Sequence, residues 1–153
     1  MENILADLKG KFGGKILKVE EKSPRRTYCD VRPGEIPAMA GYLFKDLSCR
    51  FATASGVDTP AGMEILYHFS CDRDGEMITL RTVLTDKKQP AIESITPIIR
   101  GAEWIEREMW ELLGINFKGH PNLKHLLLIE EWPEGEYPLR HDHEHKHEDD
   151  HES

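Results

Sequence analysis

The sequence predicts an α+β domain with helices packed on one mostly antiparallel sheet, followed by an extended C-terminal strap and a disordered His-rich acidic tail. Three observations carry this reading. Two alternating segments, Met63–Cys71 and Met77–Thr85, flank the hairpin-type turn Asp72-Arg73-Asp74-Gly75. Two longer stretches, Glu35–Leu47 and Pro97–Leu113, carry apolar residues at the i, i+3, i+4, i+7 spacing of an amphipathic helix. After Gly114 neither period persists, and prolines, histidines and carboxylates take over.

Taken in order, Ile4, Leu5 and Leu8 sit at helical spacing and predict a short opening helix over Glu2–Lys9, stopped by Gly10, Gly13 and Gly14. These glycines follow a helix and precede no GK[ST], so they do not make a phosphate loop. Lys15–Glu20 and Thr27–Val31 read as the first two strands. In the helix over Glu35–Leu47 the stripe is Ile36, Met39, Ala40, Leu43, Phe44 and Leu47, with Pro33 and Pro37 near its start, where a missing N–H is tolerated. Cys49–Ser55 reads as extended, and residues 58–62 as a turn cluster. In Met63–Cys71, Ile65, Tyr67 and Phe69 share one face, opposite Leu66, His68 and Ser70. His68 has no second ligand candidate nearby and reads as a satisfied sheet histidine. Thr96 is placed to cap the helix over Pro97–Leu113, and Gly114 to end it. Glu103–Arg107 and Arg107–Glu111 are i,i+4 pairs worth about 0.3 kcal/mol each.

A chain of 153 residues fits one domain, here 1–113, with a signature loop and docking strap over 114–140 and the tail over 141–153. The formal charge is −8, but the tail alone holds six carboxylates and one lysine, leaving −3 for the rest. No basic patch is visible, which excludes a nucleic-acid binder. Cys29, Cys49 and Cys71 lie 20 and 22 residues apart, with no zinc or iron–sulfur spacing, and read as reduced core thiols. Glu2, Asp7 and Lys9 break any signal-peptide core at the start, and no segment approaches the ~20 apolar residues that span a bilayer. At a membrane, a protein of this kind would be held by others.

The segment Ile115–Trp132 is the most specific. Gly119 before His120-Pro121 forces a turn, while Leu123, Leu126 to Ile129, Trp132, Pro133, Tyr137, Pro138 and Leu139 are too apolar to lie bare beside an acidic tail. The run Glu106-Arg107-Glu108-Met109-Trp110-Glu111-Leu112-Leu113-Gly114-Ile115-Asn116-Phe117-Lys118-Gly119-His120-Pro121-Asn122-Leu123, followed by Glu131-Trp132 and Pro138-Leu139-Arg140-His141-Asp142, resembles the signature of the thirty-kilodalton subunit family of respiratory complex I. Glu111, Leu113, Lys124-His125, Glu131 and His141 depart from the family pattern while mostly keeping charge or apolar character. Together with the short length, these departures point to the branch found in energy-converting, membrane-bound hydrogenase complexes.

The resemblance implies a cofactor-free structural subunit of a hydrophilic arm, on the cytoplasmic side of the cell membrane, packing on a large subunit related to nickel–iron hydrogenases. Its neighbours would be that large subunit, an iron–sulfur small subunit and, indirectly, integral membrane subunits. Iron–sulfur clusters, and in the hydrogenase branch a nickel–iron centre, would reside in those partners. The expected partner interface comprises Glu106, Arg107, Glu108, Glu111, Gly114, Phe117, Gly119, His120, Pro121, Leu123, Leu127, Trp132, Pro138, Leu139 and Arg140. A catalytic carboxylate pair is disfavoured, because 106 and 108 point about 200° apart on a helix and no nucleophile accompanies Glu108 and Glu111. His120 reads as fixing the Gly-His-Pro turn rather than relaying protons. The tail histidines His141, His143, His145, His147 and His151 offer weak nickel or zinc binding, with His143 and His147 at i,i+4. The alternative function they suggest is a nickel- or metal-handling accessory protein; the plainer reading is a solvated acidic tail.

Overall fold

The computed structural model describes residues 4–123. Helix α1 (Ile4–Phe12) leads through a 3-10 turn into β1 (Ile16–Ser23) and β2 (Arg26–Val31). Helix α2 (Ile36–Gly41) precedes β3 (Arg50–Thr59), β4 (Gly62–Cys71) and β5 (Glu76–Leu84). A short strand β6 (Ala91–Glu93), helix α3 (Glu103–Leu113) and strand β7 (Asn116–Lys118) complete the described chain. The five-stranded sheet runs in the order β1-β2-β5-β4-β3, and β6 and β7 form a second, two-stranded sheet. Within the large sheet only β2 and β5 run parallel; the other neighbours are antiparallel. The α+β class and the mostly antiparallel sheet expected from periodicity are what the structure shows.

One face of the sheet carries the core. Along β4, Met63, Ile65, Tyr67, Phe69 and Cys71 are buried, while Glu64, Leu66, His68 and Ser70 on the opposite face are half-buried. This is the period of two that an extended chain imposes on a one-sided core. Ile4, Leu8 and Phe12 of α1, Ile36, Met39 and Leu43 of and after α2, and Met109 and Leu113 of α3 join the same cluster. Phe12 meets Tyr42 edge-on at 5.6 Å, which locks α1 to the segment after α2. The β4–β5 turn holds the start of α1, through Arg73 to Asp7 at 2.8 Å and the Ile4 N–H to Asp74 Oδ2 at 3.1 Å.

The turns follow local chemistry. Thr59 and Gly62 are paired across the β3–β4 turn, and the Thr59 hydroxyl donates to the Gly62 carbonyl at 2.7 Å. Gly62 holds φ 148, and a Cβ there would lie 2.3 Å from the Leu84 carbonyl oxygen, so only glycine fits. Gly75 closes the β4–β5 turn at φ 74, its N–H bound to the Cys71 carbonyl at 2.8 Å.

Three expectations are corrected. The single helix over 35–47 is a short α2 that widens into a π-helical turn over Tyr42–Asp46. Gly41 sits at the junction, where its weak helical preference makes the change of winding cheap. The wider turn rotates the stripe, so Leu43 stays buried and Phe44 is exposed. The third helix starts at Glu103, not Pro97, and Thr96 does not cap it; the reason is the buried carboxylate of Glu106, described next. Strands β6 and β7 are not foreshadowed by the sequence, because three residues are too few to display a period.

Candidate partner interface

The α3 helix is the element on which the signature residues converge. Its charged character suggests a solvated surface helix, yet Glu106, Arg107 and Glu111 are at most 5% exposed. Glu106 lies under the 94–96 loop and acts as its template. Its Oε1 accepts the Ser94 hydroxyl at 2.6 Å and the Thr96 N–H at 3.2 Å, and also the Thr96 hydroxyl; its Oε2 accepts the Ile95 N–H at 3.1 Å. A buried carboxylate is tolerable only with such a complete donor set. The loop is drawn onto the carboxylate, so residues 96–98 form a turn instead of coiling into the helix, and α3 begins after a 3-10 turn over Arg100–Ala102. Glu106 therefore serves the interior of this protein and presents no surface to a partner.

Tyr67 stands nearby with its hydroxyl fully buried and, among the described residues, without a hydrogen-bond partner. Burial, and secondarily the Glu106 charge, raises its phenol well above the ordinary range, so it stays neutral.

At the start of α3 the surface changes character. Trp104 is 66% exposed, with the Arg107 guanidinium 5.2 Å from its ring centre and Glu103 4.0 Å from the same guanidinium. The Gly-His-Pro turn packs back onto this point. The Asn122 N–H donates to His120 Nδ1 at 3.0 Å, which leaves the imidazole proton on Nε2, 3.1 Å from the Glu103 carbonyl oxygen that accepts it. Gly119 holds φ 81, a left-handed conformation that suits glycine at this bend. The chain thus reaches Leu123 tied to the first residue of α3, one residue from Trp104.

On the other flank of α3, a shallow cleft of about 170 Å³ opens against β3. Gly56, Ile105, Glu108, Met109 and Leu112 line it. Gly56 permits the close approach, since a Cβ there would lie 2.6 Å from Leu113 Cδ1. Gly114 ends the helix at φ 77, its N–H bound to the Trp110 carbonyl, as expected. Beyond it, Phe117 enters the core through β7, 1% exposed.

The structure divides the expected interface residues. Glu106, Arg107, Glu111 and Phe117 are buried within the protein; Glu108, Gly114, His120 and Leu123 are half-buried; Gly119 and Pro121 are exposed. Leu127, Trp132, Pro138, Leu139, Arg140 and the histidines His141, His143, His145, His147 and His151 lie outside the described residues. Sequence reasoning does not single out Trp104, Ser94 and Thr96 for these roles. An indole among the charges of α3 is the available signal for Trp104, whereas nothing local marks the loop that Glu106 organises. Among the described residues no three His, Cys, Asp or Glu side chains gather to hold a metal ion, and no helix is long and apolar enough to cross a membrane.

Residues 29–149 match the family described as the respiratory-chain NADH dehydrogenase 30 Kd subunit. The chain belongs to that family. Among its relatives, the C-type subunit of the F(420)H(2) dehydrogenase of Methanosarcina mazei is 35% identical over 144 residues, covering 92% of this chain and 90% of that protein. The C/D-type subunit of the NADH-quinone oxidoreductase of Bacteroides thetaiotaomicron is 38% identical over 81 residues, which cover 53% of this chain but only 15% of that protein. A chain in the structure of the membrane-bound sulfane sulfur reductase, an archaeal respiratory membrane complex, superposes with a TM-score of 0.79 at 20% identity. That superposition covers 91% of this chain and 82% of the other, and shows a shared fold. As a 30 Kd subunit family member, this protein is a component of an oxidoreductase complex, and α3 with its Gly-His-Pro turn lies inside the matched span.

Proposed function

We propose that this 30 Kd subunit family member is a cofactor-free scaffold in the hydrophilic arm of a membrane-associated electron-transfer complex, docked on a large subunit of the nickel–iron-hydrogenase-related type. The observation that carries the reading is the corner where His120 of the Gly-His-Pro turn binds the Glu103 carbonyl, one residue from Trp104. A largely exposed tryptophan stands beside the point at which the apolar strap sequence begins. Aromatic and arginine side chains of this kind anchor protein–protein interfaces. The C/D relative supports the choice of partner, since its name joins the C and D types in one protein. Redox centres would then sit in the neighbours, and this chain would keep them in register.

The match to the Methanosarcina protein, which covers 90% of that protein, supports an assembly of the F(420)H(2) dehydrogenase kind, with the membrane-bound hydrogenase kind as the second candidate. The large subunit distinguishes the two: cysteine pairs able to hold nickel mark a hydrogenase. The test is recovery of the full chain from its native membranes in mild detergent, with mass spectrometry of what accompanies it. A hydrogenase-like large subunit and an iron–sulfur subunit should come with the native chain. Trp104→Asp should reduce their recovery roughly tenfold or more while the variant melts within a few degrees of the native chain. Removal of residues 141–153 should leave recovery intact. Recovery of the chain alone, or only with metal-delivery proteins, overturns the scaffold reading.

A further inference from the structure

The described core holds a pair of nucleophiles that the scaffold role does not use. Cys49 and Cys71 are 22 residues apart in sequence, yet their sulfurs face each other at 2.7 Å. The register explains it: Arg50 pairs with Ser70 on the antiparallel β3–β4 ladder, so Cys49 and Cys71 occupy the next cross-strand position. Side chains at facing positions on such a ladder have Cβ atoms within the few ångströms that a disulfide spans. Ser48, at φ 55, makes the sharp backbone turn that delivers Cys49 to this place. Outside the pair, Arg50 bonds Asp72 at 3.0 Å and closes the same end of the ladder.

We propose that Cys49 and Cys71 form a reversible cross-strand disulfide that clamps the start of β3 to the end of β4 when the protein meets a peroxide. The chemistry needs one two-electron oxidant. The Cys49 thiolate attacks hydrogen peroxide, giving a sulfenic acid and hydroxide, which takes up the thiol proton as water. The Cys71 sulfur then displaces the second oxygen as water, so two thiols and one peroxide yield one disulfide and two waters. A dithiol reductant reverses it by exchange. The roles within the pair follow from the contact between the two sulfurs, which lowers the Cys49 thiol and raises that of Cys71, making Cys49 the attacking sulfur. Cys29 is the internal control. It is buried in the same core, no other cysteine is paired with it, and burial pushes its thiol up to about 11. This inference is independent of the partner assignment.

The test uses the reduced, full-length chain treated with millimolar hydrogen peroxide, quenched and alkylated after unfolding. The expected result is loss of two of the three thiols and a mass decrease of about 2 Da. Trypsin cuts after Lys45, Arg50 and Arg73, so peptides 46–50 and 51–73 should appear joined and separate on reduction. The oxidised chain should melt roughly 5 °C or more above the reduced one. Cys29→Ser should behave like the native chain, and Cys71→Ser should lose the intramolecular link. Three thiols still free, intermolecular dimers only, or added oxygen on Cys49 without a joined peptide would each overturn the proposal.

Discussion

Glu106 Oε1 accepts the Ser94 hydroxyl at 2.6 Å across a turn of chain that the helix itself does not contain. Through this carboxylate, α3 dictates the path of residues 94–99, the place where the helix begins and thereby the position of Trp104. A charge expected at a partner interface is the organiser of the loop.

Replacing Glu106 with Ala leaves the Ser94 and Thr96 hydroxyls and the Ile95 and Thr96 amides without their acceptor. Each orphaned buried donor costs about 1–3 kcal/mol, partly relieved by entering water, so a net loss of roughly 3 kcal/mol is expected. Urea unfolding checks this: the midpoint should fall with little change in slope. Glu106→Gln keeps one acceptor oxygen and should lose less. Equal stability of Glu106→Ala and the native chain would show that the loop stands without its template.

Two glycines should respond differently to Ala. At Gly62 the new Cβ meets the Leu84 carbonyl, a backbone atom that cannot swing away, at a φ that side chains rarely adopt. The expected cost is about 3 kcal/mol. At Gly56 the obstacles are the ends of the Leu113 and Met109 side chains, which can rotate, so about 1 kcal/mol is expected. Thermal melts of both variants give the ranking, and a Gly56 variant less stable than the Gly62 variant would contradict it.

His68 predicts an acid-sensitive stability. Burial, and then the Arg26 charge, lowers its pKa below the ordinary 6.5, while Nδ1 lies 2.8 Å from the Thr79 hydroxyl. The folded histidine stays neutral where the unfolded one already binds a proton. The contribution of His68 is therefore fully present above about pH 6.5 and declines as pH falls through the window between that value and the lower folded one. The difference in unfolding free energy between the native chain and His68→Gln, measured from pH 8 to 5, should narrow or reverse toward acid. A constant difference would remove His68 as the source.

Much of the fold is legible because burial stamps a period on the chain. The alternation of Ile65, Tyr67 and Phe69 marks β4, and the stripe ending at Met109 and Leu113 marks α3, since one-sided burial requires these spacings. Gly114 is legible as a helix end because its left-handed φ suits glycine. The same logic fails where apolar residues are in phase with a helix without being in one. Ile98 and Ile99 extend the stripe of α3 in sequence, but the carboxylate of Glu106 holds Thr96 in a competing geometry.

The sequence by itself determined the α+β class, the principal strands and helices, and the family signature from Glu106 to Leu123, because these rest on periods, turns and residue order within short windows. Only the tertiary structure decided that β2 runs parallel to β5, that Glu106 is an interior ligand of a loop, and that Cys49 faces Cys71. Each of these joins residues distant in the chain through strand register or a buried charge, and such pairings are chosen by how the whole core packs rather than by any local preference of the chain.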